Sequence, residues 1–388
     1  MTHQPILASD PRSAAAVGEI PKLTPSPPLA PSAARSPLPA NPAHSTQPAY
    51  SAHLPHPAQP AHSESPARQP LAEIDGEELA ATAASIRRLE ENVARVIRGK
   101  REAIRLATVC LLARGHVLIE DVPGVGKTTL AQALARSLGL SFQRIQFTSD
   151  LLPSDIIGVS VFNQKSQAFE FVQGPLFANV VLADEINRAT PKTQSALLEA
   201  MSERTVTVER RRFELPEPFV VLATQNPLEF QGTFPLPESQ LDRFLMSLAL
   251  GYPPRGDERE LLLSGGVENL LQHLQPVVSQ PELLELQARA QRVRVAEKLA
   301  DYLLTLAEAT RRGGEFLLGV STRGAQSLFR AVQALALAEG RAYAVPDDVQ
   351  RLAVPVLAHR VALKRGGFDL ESTRKALERV IAATPVPL

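Results

Sequence analysis

The stretch Asp121-Val122-Pro123-Gly124-Val125-Gly126-Lys127-Thr128-Thr129 decides the fold. It follows an apolar run that ends at Glu120 and opens onto a segment with helical patterning that reaches Ala135. A strand, a glycine-containing loop and a helix, in this order, are typical of a phosphate-binding loop. Glycines let the backbone wrap around an anion, and the helix N-terminus adds a partial positive charge. The stretch therefore predicts a nucleoside triphosphate site.

The residues of this phosphate loop (121–129) have separate expected roles. Lys127 would reach the outer phosphates as a point charge, and the Thr128 hydroxyl would ligate Mg²⁺. The usual pattern has glycine where this chain has Asp121. We expect the loop to form nevertheless, because Asp tolerates the left-handed conformation and bonds its own backbone. The other expected nucleotide contacts in the loop are Pro123, Gly124, Val125, Gly126 and Thr129.

Two carboxylates end a later apolar run: Asp184 and Glu185 directly follow Val180–Ala183. In a parallel sheet, this strand would deliver both acids to the edge that carries the phosphate loop. Asp184 would orient the waters around Mg²⁺, and Glu185 would accept a proton from the water that attacks the γ-phosphate. Together with the phosphate loop, the pair predicts a site for hydrolysis of a nucleoside triphosphate.

Three polar or basic residues further along the chain are further candidates for the nucleotide site. Asn226 follows the apolar run Phe219–Ala223 and would lie at the same edge, where it could hold the attacking water or the γ-phosphate. A simple Asn-Pro turn is the alternative that this dipeptide favours. Arg243 lies on a short helical run and Arg323 at a helix start, but spacing alone does not separate them from the many other arginines.

Composition divides the chain into three parts, predicted as a tail (1–73), an α/β domain (74–254) and a helical domain (255–388). The tail is rich in Pro, Ala, Ser and His, so we expect it to be disordered and partly polyproline-like. It holds five of the eight histidines, but their irregular spacing favours a solvated arm over a metal site.

The α/β domain alternates strand-like and helix-like runs, which predicts a parallel sheet covered on both faces. A hairpin insertion is expected at about 151–178, with its strands at 158–162 and 169–172. The helical domain carries apolar stripes in 282–309, 324–339 and 346–363.

Bulk properties exclude several classes of protein. The formal net charge is zero, which weakens a polyanion-binding interpretation. The single cysteine, Cys110, lies in an apolar run and is expected in the core, so no disulfide forms within the chain and a reducing compartment is favoured. No apolar stretch approaches the ~18 residues of a membrane span. The N-terminus does not resemble a signal peptide, so we expect a cytoplasmic protein.

Six further runs are far more specific than any single motif. They are Gln146–Gly158, Gly174–Ala189, Gln194–Met201, Ala223–Pro227, Gly232–Glu238 and Gln240–Phe244. Together they closely resemble the MoxR group of AAA+ ATPases. The resemblance covers about 80–388 and leaves the tail outside. It implies a P-loop AAA+ core with an all-helical lid, and an ATPase that works as a ring, commonly a hexamer.

The resemblance also implies roles for particular residues. Asn226 matches sensor 1, and Arg243 matches the arginine finger that enters the site of the neighbouring subunit. Arg323 matches sensor 2, reaching the nucleotide from a mobile lid, so that nucleotide state would change the angle between domains. The segment from Ile97 to Lys100, with Gly99, matches the contact to adenine. A chaperone-like role is implied, with a von Willebrand A domain partner and a protein client.

Other classes share this ATPase core. A metal-chelatase motor subunit is close in pattern. A helicase or clamp-loader motor should show a basic patch, and only the mixed run Arg210–Arg212 approaches one. A scaffold that binds nucleotide without hydrolysis is disfavoured by Glu185 and Arg243. A GTPase is disfavoured because no Asn-Lys-x-Asp guanine motif occurs.

Overall fold

A computed structural model describes residues 73–226, 232–263, 266–312, 314–365 and 369–387. The predicted tail at 1–73 lies outside these residues, apart from Glu73. Within the described ranges, no helix combines the length and the apolar character that crossing a membrane requires.

Strands and helices alternate in the first half of the chain, and helices dominate the second. The strands are β1 (Val117–Glu120), β2 (Phe142–Gln146), β3 (Gly158–Asn163), β4 (Ala168–Gln173), β5 (Val180–Asp184), β6 (Thr205–Val208), β7 (Arg211–Glu214), β8 (Val220–Gln225), β9 (Met246–Leu248), β10 (Phe316–Leu318) and β11 (Ala362–Leu363). The helices are α1 (Gly76–Ala94), α2 (Arg101–Leu112), α3 (Lys127–Ser137), α4 (Pro153–Ile157), α5 (Pro191–Glu203), α6 (Glu238–Leu241), α7 (Arg255–Leu263), α8 (Val267–Gln272), α9 (Gln280–Arg292), α10 (Glu297–Arg312), α11 (Thr322–Ala338), α12 (Pro346–Leu357) and α13 (Leu370–Ala383).

The central sheet has the strand order β2-β5-β8-β1-β9, and all of its pairings are parallel. Its side chains alternate between two buried faces. Val117 and Ile119 belong to one apolar cluster and Leu118 to the other. Burial on both faces explains the continuous apolar runs of β5 and β8, as a sheet covered by helices on both sides requires. The predicted α/β fold with a parallel sheet is confirmed.

Some predicted elements differ in detail from those observed. The stripe at 282–309 is divided between α9 and α10. The stripe at 346–363 is α-helical to Leu357 and continues as a 3-10 turn (Ala358–Arg360) before β11. The second half also contains the short antiparallel pair of β10 and β11, so it is not entirely helical. Strand β9 and the β6–β7 hairpin were not predicted, because strands of three or four residues leave little pattern. The insertion hairpin, β3 paired with β4, is observed as expected.

One hydrophobic cluster runs through both halves of the chain. It joins Leu89 and Ile104 on α1 and α2 to Leu286 and Leu335 on α9 and α11. Polar contacts reinforce it: Glu78 on α1 lies 2.8 Å from Arg289 and 2.7 Å from Arg292. Separating the halves would expose this apolar surface to water. The mobile lid, with an angle between domains that changes with nucleotide state, stays a prediction.

Candidate nucleotide site

Four strands of the sheet end together at one edge, which we call the loop edge. Glu120 of β1 pairs with Gln225 of β8, and Gln146 of β2 pairs with Asp184 of β5. The phosphate loop leaves β1 at this edge. Asp184 is the last residue of β5, and Glu185 follows it at the same edge. The buried Asn226 follows β8 there. The structure thus brings together the candidates that the sequence placed on separate strands.

The phosphate loop has the backbone that its glycines predict. Gly124 and Gly126 have φ values of 84° and 97°, in the left-handed region that favours glycine. Helix α3 begins at Lys127, so its free N–H groups face the space enclosed by the loop. Within the described residues the Thr128 hydroxyl has no hydrogen-bond partner, which suits an oxygen ligand of Mg²⁺.

Lys127 lies among the carboxylates of the site. Its Nζ donates a hydrogen bond to the backbone oxygen of Asp121 at 2.7 Å. Partial burial lowers the pKa of Lys127, and the negative charges of Asp121, Asp184 and Glu185 oppose that change. The charges of Asp184 and Glu185 thus act on the lysine, as expected if the three residues share one site.

Asp121 anchors the phosphate loop in a way that the sequence did not predict. Its backbone is not in the left-handed region, so the expected left-handed turn at this residue is wrong. Instead, its carboxylate accepts hydrogen bonds from three backbone N–H groups: Val122 at 2.8 Å, Leu250 at 2.7 Å and Gly251 at 2.6 Å. The carboxylate ties the start of the loop to the chain that follows β9.

Restoring the usual glycine with Asp121→Gly is expected to weaken this protein. The N–H groups of Leu250 and Gly251 would lose their acceptor, which costs about 1–3 kcal/mol of unfolding free energy. The looser loop should also bind ATP less tightly. Urea unfolding and nucleotide titration would measure both effects, with Asp150→Gly on an exposed turn as the control. Equal stability and affinity in the Asp121→Gly variant would refute the anchoring role.

Asp184 is held by side chains from both neighbouring strands. Arg144 on β2 approaches Oδ2 through Nε at 3.1 Å and Nη2 at 2.6 Å. The Thr224 hydroxyl on β8 donates to Oδ1 at 2.6 Å. A carboxylate fixed in this way at the loop edge is a suitable partner for a hydrated Mg²⁺.

Glu185 begins the turn after β5 in a strained conformation. Its φ of 57° is unusual for a residue with a side chain, and such strain is concentrated at functional sites. Its N–H donates to the Thr224 hydroxyl at 2.8 Å. Its Oε2 accepts from Gln146 at 2.6 Å and lies 3.2 Å from Nε of Arg188. Thr224 thus orders both acids at once.

Comparison with known proteins supports an ATPase. The chain matches the model of the ATPase family associated with various cellular activities (AAA) over residues 116–246, and that of the AAA lid domain over 308–380. The uncharacterized protein YeaC of Bacillus subtilis is 47% identical, over 77% of this chain and 93% of that protein. A solved structure from Cytophaga hutchinsonii, assigned as an ATPase, has a TM-score of 0.74 and 37% identity, over 80% of this chain and 98% of that one.

Chaperone MoxR1 of Mycobacterium tuberculosis is 40% identical, over 80% of this chain and 85% of that protein. This chain belongs to the MoxR family of AAA+ ATPases. The resemblance seen in the sequence is confirmed, and with it nucleotide binding and ATP hydrolysis. The parallel sheet belongs to the AAA+ core of this MoxR-family protein, and the helices within 308–380 belong to its lid domain. The exact domain boundaries stay a prediction.

The segment predicted to contact adenine packs against the chain that follows β9. Ile97 is buried in the shared cluster, and Lys100 donates to the backbone oxygen of Tyr252. Gly99 has a φ of 72°, and a side chain there would collide with Pro254. Because Asp121 binds the same stretch, the segment is connected to the phosphate loop of this MoxR-family ATPase. Its role at adenine stays a prediction.

Arg243 and Arg323 lie away from the loop edge. Met246, three residues after Arg243, pairs with Val117 at the start of β1. The N–H of Leu245 donates to the backbone oxygen of His116 at 2.8 Å. Strand β1 rises about 10 Å from this opposite edge to the loop edge, at ~3.3 Å per residue. Arg243 is therefore placed at the far side of the sheet from the phosphate loop of its own chain.

Arg323 lies on the same side as Arg243. Ser321, the N-cap of α11, donates to Asp242 at 3.0 Å, and Asp242 also pairs at 2.8 Å with the buried Arg360. Burial lowers the pKa of Arg243, and the positive charge of Arg323 lowers it further. This helix start therefore lies on the same side of the sheet as Arg243, and the role of Arg323 as sensor 2 stays a prediction.

Several residues of the site were not predicted from the sequence. Arg144 and Gln146 stand two positions apart on β2, where alternation puts them on one face, but nothing in that spacing identifies their partners on β5. Thr224 lies two residues before Asn226 and could have been noted as a polar residue at a strand end. The role of the Asp121 carboxylate depends on the path of the chain after β9.

Proposed function

We propose that this MoxR-family ATPase works as a ring in which each active site is completed by Arg243 of a neighbouring chain. The observation that carries this proposal is the placement of Arg243 and Arg323 at the edge opposite to Lys127. Within one chain, no arginine finger reaches the γ-phosphate from there. A head-to-tail contact between copies would bring this edge of one chain to the loop edge of the next.

The residues at the loop edge would share the chemistry as follows. Lys127 and the N–H groups of the phosphate loop hold the phosphates. Thr128 and Asp184 would hold Mg²⁺, which when bound offsets charge on the β- and γ-phosphate oxygens. Glu185 accepts a proton from the attacking water, and Asn226 holds that water or the γ-phosphate. The neighbour's Arg243, with Arg323 beside it, stabilises the charge that spreads in the transition state.

In the ring, the nucleotide would act on the contacts between neighbouring chains. Because the α/β and helical halves share one hydrophobic cluster, they would move together, and nucleotide state would change the contact between neighbouring chains. We infer that this movement remodels or activates a protein client. The family resemblance favours a partner with a von Willebrand A domain, and a cytoplasmic location stays a prediction.

The β3–β4 hairpin is the surface that we propose for the client. Phe162 and Phe169 face each other across it with ring centroids 5.3 Å apart, and both are exposed. Phe171 stacks on Phe213 of β7 at 4.2 Å, which fixes the hairpin to the β6–β7 hairpin. Exposed apolar side chains on a supported hairpin are suited to grip an extended segment of another protein.

The ring is tested by measuring ATP hydrolysis against protein concentration, with light scattering for mass. We expect turnover per chain to rise steeply with concentration, in step with a mass that is a multiple of 42.0 kDa. The physical reason is that a finger contributes only when a neighbour is present. Constant turnover per chain by a monomer would overturn the proposal and leave a hydrolase that is complete in one chain.

A further inference from the structure

Arg360 is a buried arginine that binds the short segment on which Arg243 lies, residues 242–245, which we call the finger segment. The side chain of Arg360 is 1% exposed. Its Nε donates to Oδ1 of Asp242 at 2.8 Å, and its Nη1 donates to the backbone oxygen of Leu245 at 2.9 Å. Its Nη2 donates to the backbone oxygen of Phe244. One guanidinium therefore holds the residues on both sides of Arg243.

The carboxylate of Asp242 joins the finger segment to the lid domain. Arg360 occupies its Oδ1, and the hydroxyl of Ser321, the N-cap of α11, donates to its Oδ2 at 3.0 Å. Asp242 lies within the AAA+ core, whereas Ser321 and Arg360 belong to the lid domain. Gly324, in the first turn of α11, makes room for Arg360, because a Cβ atom there would lie 3.0 Å from the Arg360 Cδ. The finger segment and the start of α11 are thus fixed to each other.

Electrostatic repulsion gives a reason for this attachment. Partial burial lowers the pKa of Arg243, and the positive charge of Arg323 on α11 lowers it further. Like charges repel, so the finger segment needs a firm contact to stay against α11. Burial lowers the pKa of Arg360 to about 10, and Asp242 opposes that change, so Arg360 is charged at neutral pH. Breaking this ion pair would leave a charge unpaired in the interior, which makes the contact strong.

We propose that Arg360 is the positioning residue for Arg243: from the lid domain, its ion pair with Asp242 fixes the segment that presents Arg243 to the neighbouring chain. The proposal rests on the ring proposed above. Arg360 is buried in its own chain, so it acts through the finger segment and not on the nucleotide. Lys127 and Glu185 lie at the opposite edge of the sheet. A defect at Arg360 should therefore impair the finger that a chain gives and spare the site in which that chain binds ATP.

The first test is Arg360→Lys, because lysine keeps the positive charge but lacks the planar fork that reaches several acceptors at once. We expect ATP turnover to fall by about 10–100-fold, the effect of displacing a catalytic group by about 1 Å. The affinity for ATP and the mass of the assembly should be unchanged. Arg341→Lys, which alters a similar pair with Asp348 elsewhere in the lid domain, is the matched control and should retain wild-type turnover.

Mixtures of variants reveal which function is lost. Arg360→Lys mixed with Glu185→Gln should exceed the summed turnover of the two variants alone, because Glu185→Gln chains supply a well-placed Arg243 to the intact sites of Arg360→Lys chains. Arg360→Lys mixed with Arg243→Ala should show no such increase, since neither chain supplies a well-placed finger. A variant that is only less stable would respond alike in the two mixtures.

Wild-type turnover of Arg360→Lys, or an equal response in the two mixtures, would overturn the positioning role. Asp242→Asn keeps an oxygen that can accept from Arg360 but removes the negative charge, so it should show the same pattern with a smaller loss of turnover. This second variant, measured in the same mixtures, keeps the test independent of how well Arg360→Lys folds. If Arg243→Ala and Glu185→Gln do not restore activity to each other, the ring itself is contradicted instead.

Discussion

Replacement of Glu185 by Gln should lower ATP turnover by about 10²–10⁴-fold and leave ATP binding intact. The amide keeps the size of the side chain, and it still has an oxygen that can accept from Gln146. It no longer accepts a proton from the attacking water. Steady-state hydrolysis and equilibrium binding of ATP, measured on the same preparation, would separate the two effects.

A suitable control for this substitution is Glu371→Gln, which changes an exposed carboxylate paired with Lys375 on α13. It should retain wild-type turnover. If Glu185→Gln hydrolyses ATP at the wild-type rate, another group activates the water, and Asp184 would be the nearest carboxylate to examine. If the variant fails to bind ATP, the loss of turnover says nothing about proton transfer, and the binding measurement reveals this directly.

Arg243→Ala is expected to lower turnover by about 10³–10⁵-fold, the usual contribution of an arginine finger. The reason is geometric: Arg243 lies at the sheet edge opposite to the phosphate loop of its own chain, so its positive charge would serve a neighbour's site. The mass of the assembly should be little changed. Arg312→Ala, which removes an exposed arginine paired with Glu308, is the matched control.

Mixing the two inactive variants tests whether Arg243 of one chain acts at the site of another. An Arg243→Ala chain retains Glu185, and a Glu185→Gln chain retains Arg243, so a contact between them in the right order forms one intact site. Partial recovery of ATP hydrolysis in the mixture is expected, with neither variant active alone. Full activity of Arg243→Ala on its own would remove this residue from the mechanism. A mixture that stays inactive would mean that Arg243 of one chain does not complete the active site of another chain.

Local pattern was enough to find the nucleotide site. The glycines and the lysine of the phosphate loop are close together in the sequence. The loop could therefore be recognised from one contiguous stretch. Asp184 and Glu185 were found because an apolar strand delivers its end residues to a predictable edge. The length of the apolar runs likewise predicted β1, β5 and β8, whereas β9, with three residues, gave too short a pattern to recognise.

The sequence by itself thus determined the α/β class, the phosphate loop and the pair of acids, because each depends on neighbouring residues or on the period of a strand. The family followed from the resemblance of six sequence runs. Only the tertiary structure decided that Asp121 anchors the loop to Gly251, and that Arg144 and Gln146 hold the acids. It also placed Arg243 and the start of α11 on the same side of the sheet and joined the two halves in one core. These contacts link residues far apart in the chain, and strand register, which no local pattern encodes, sets their positions.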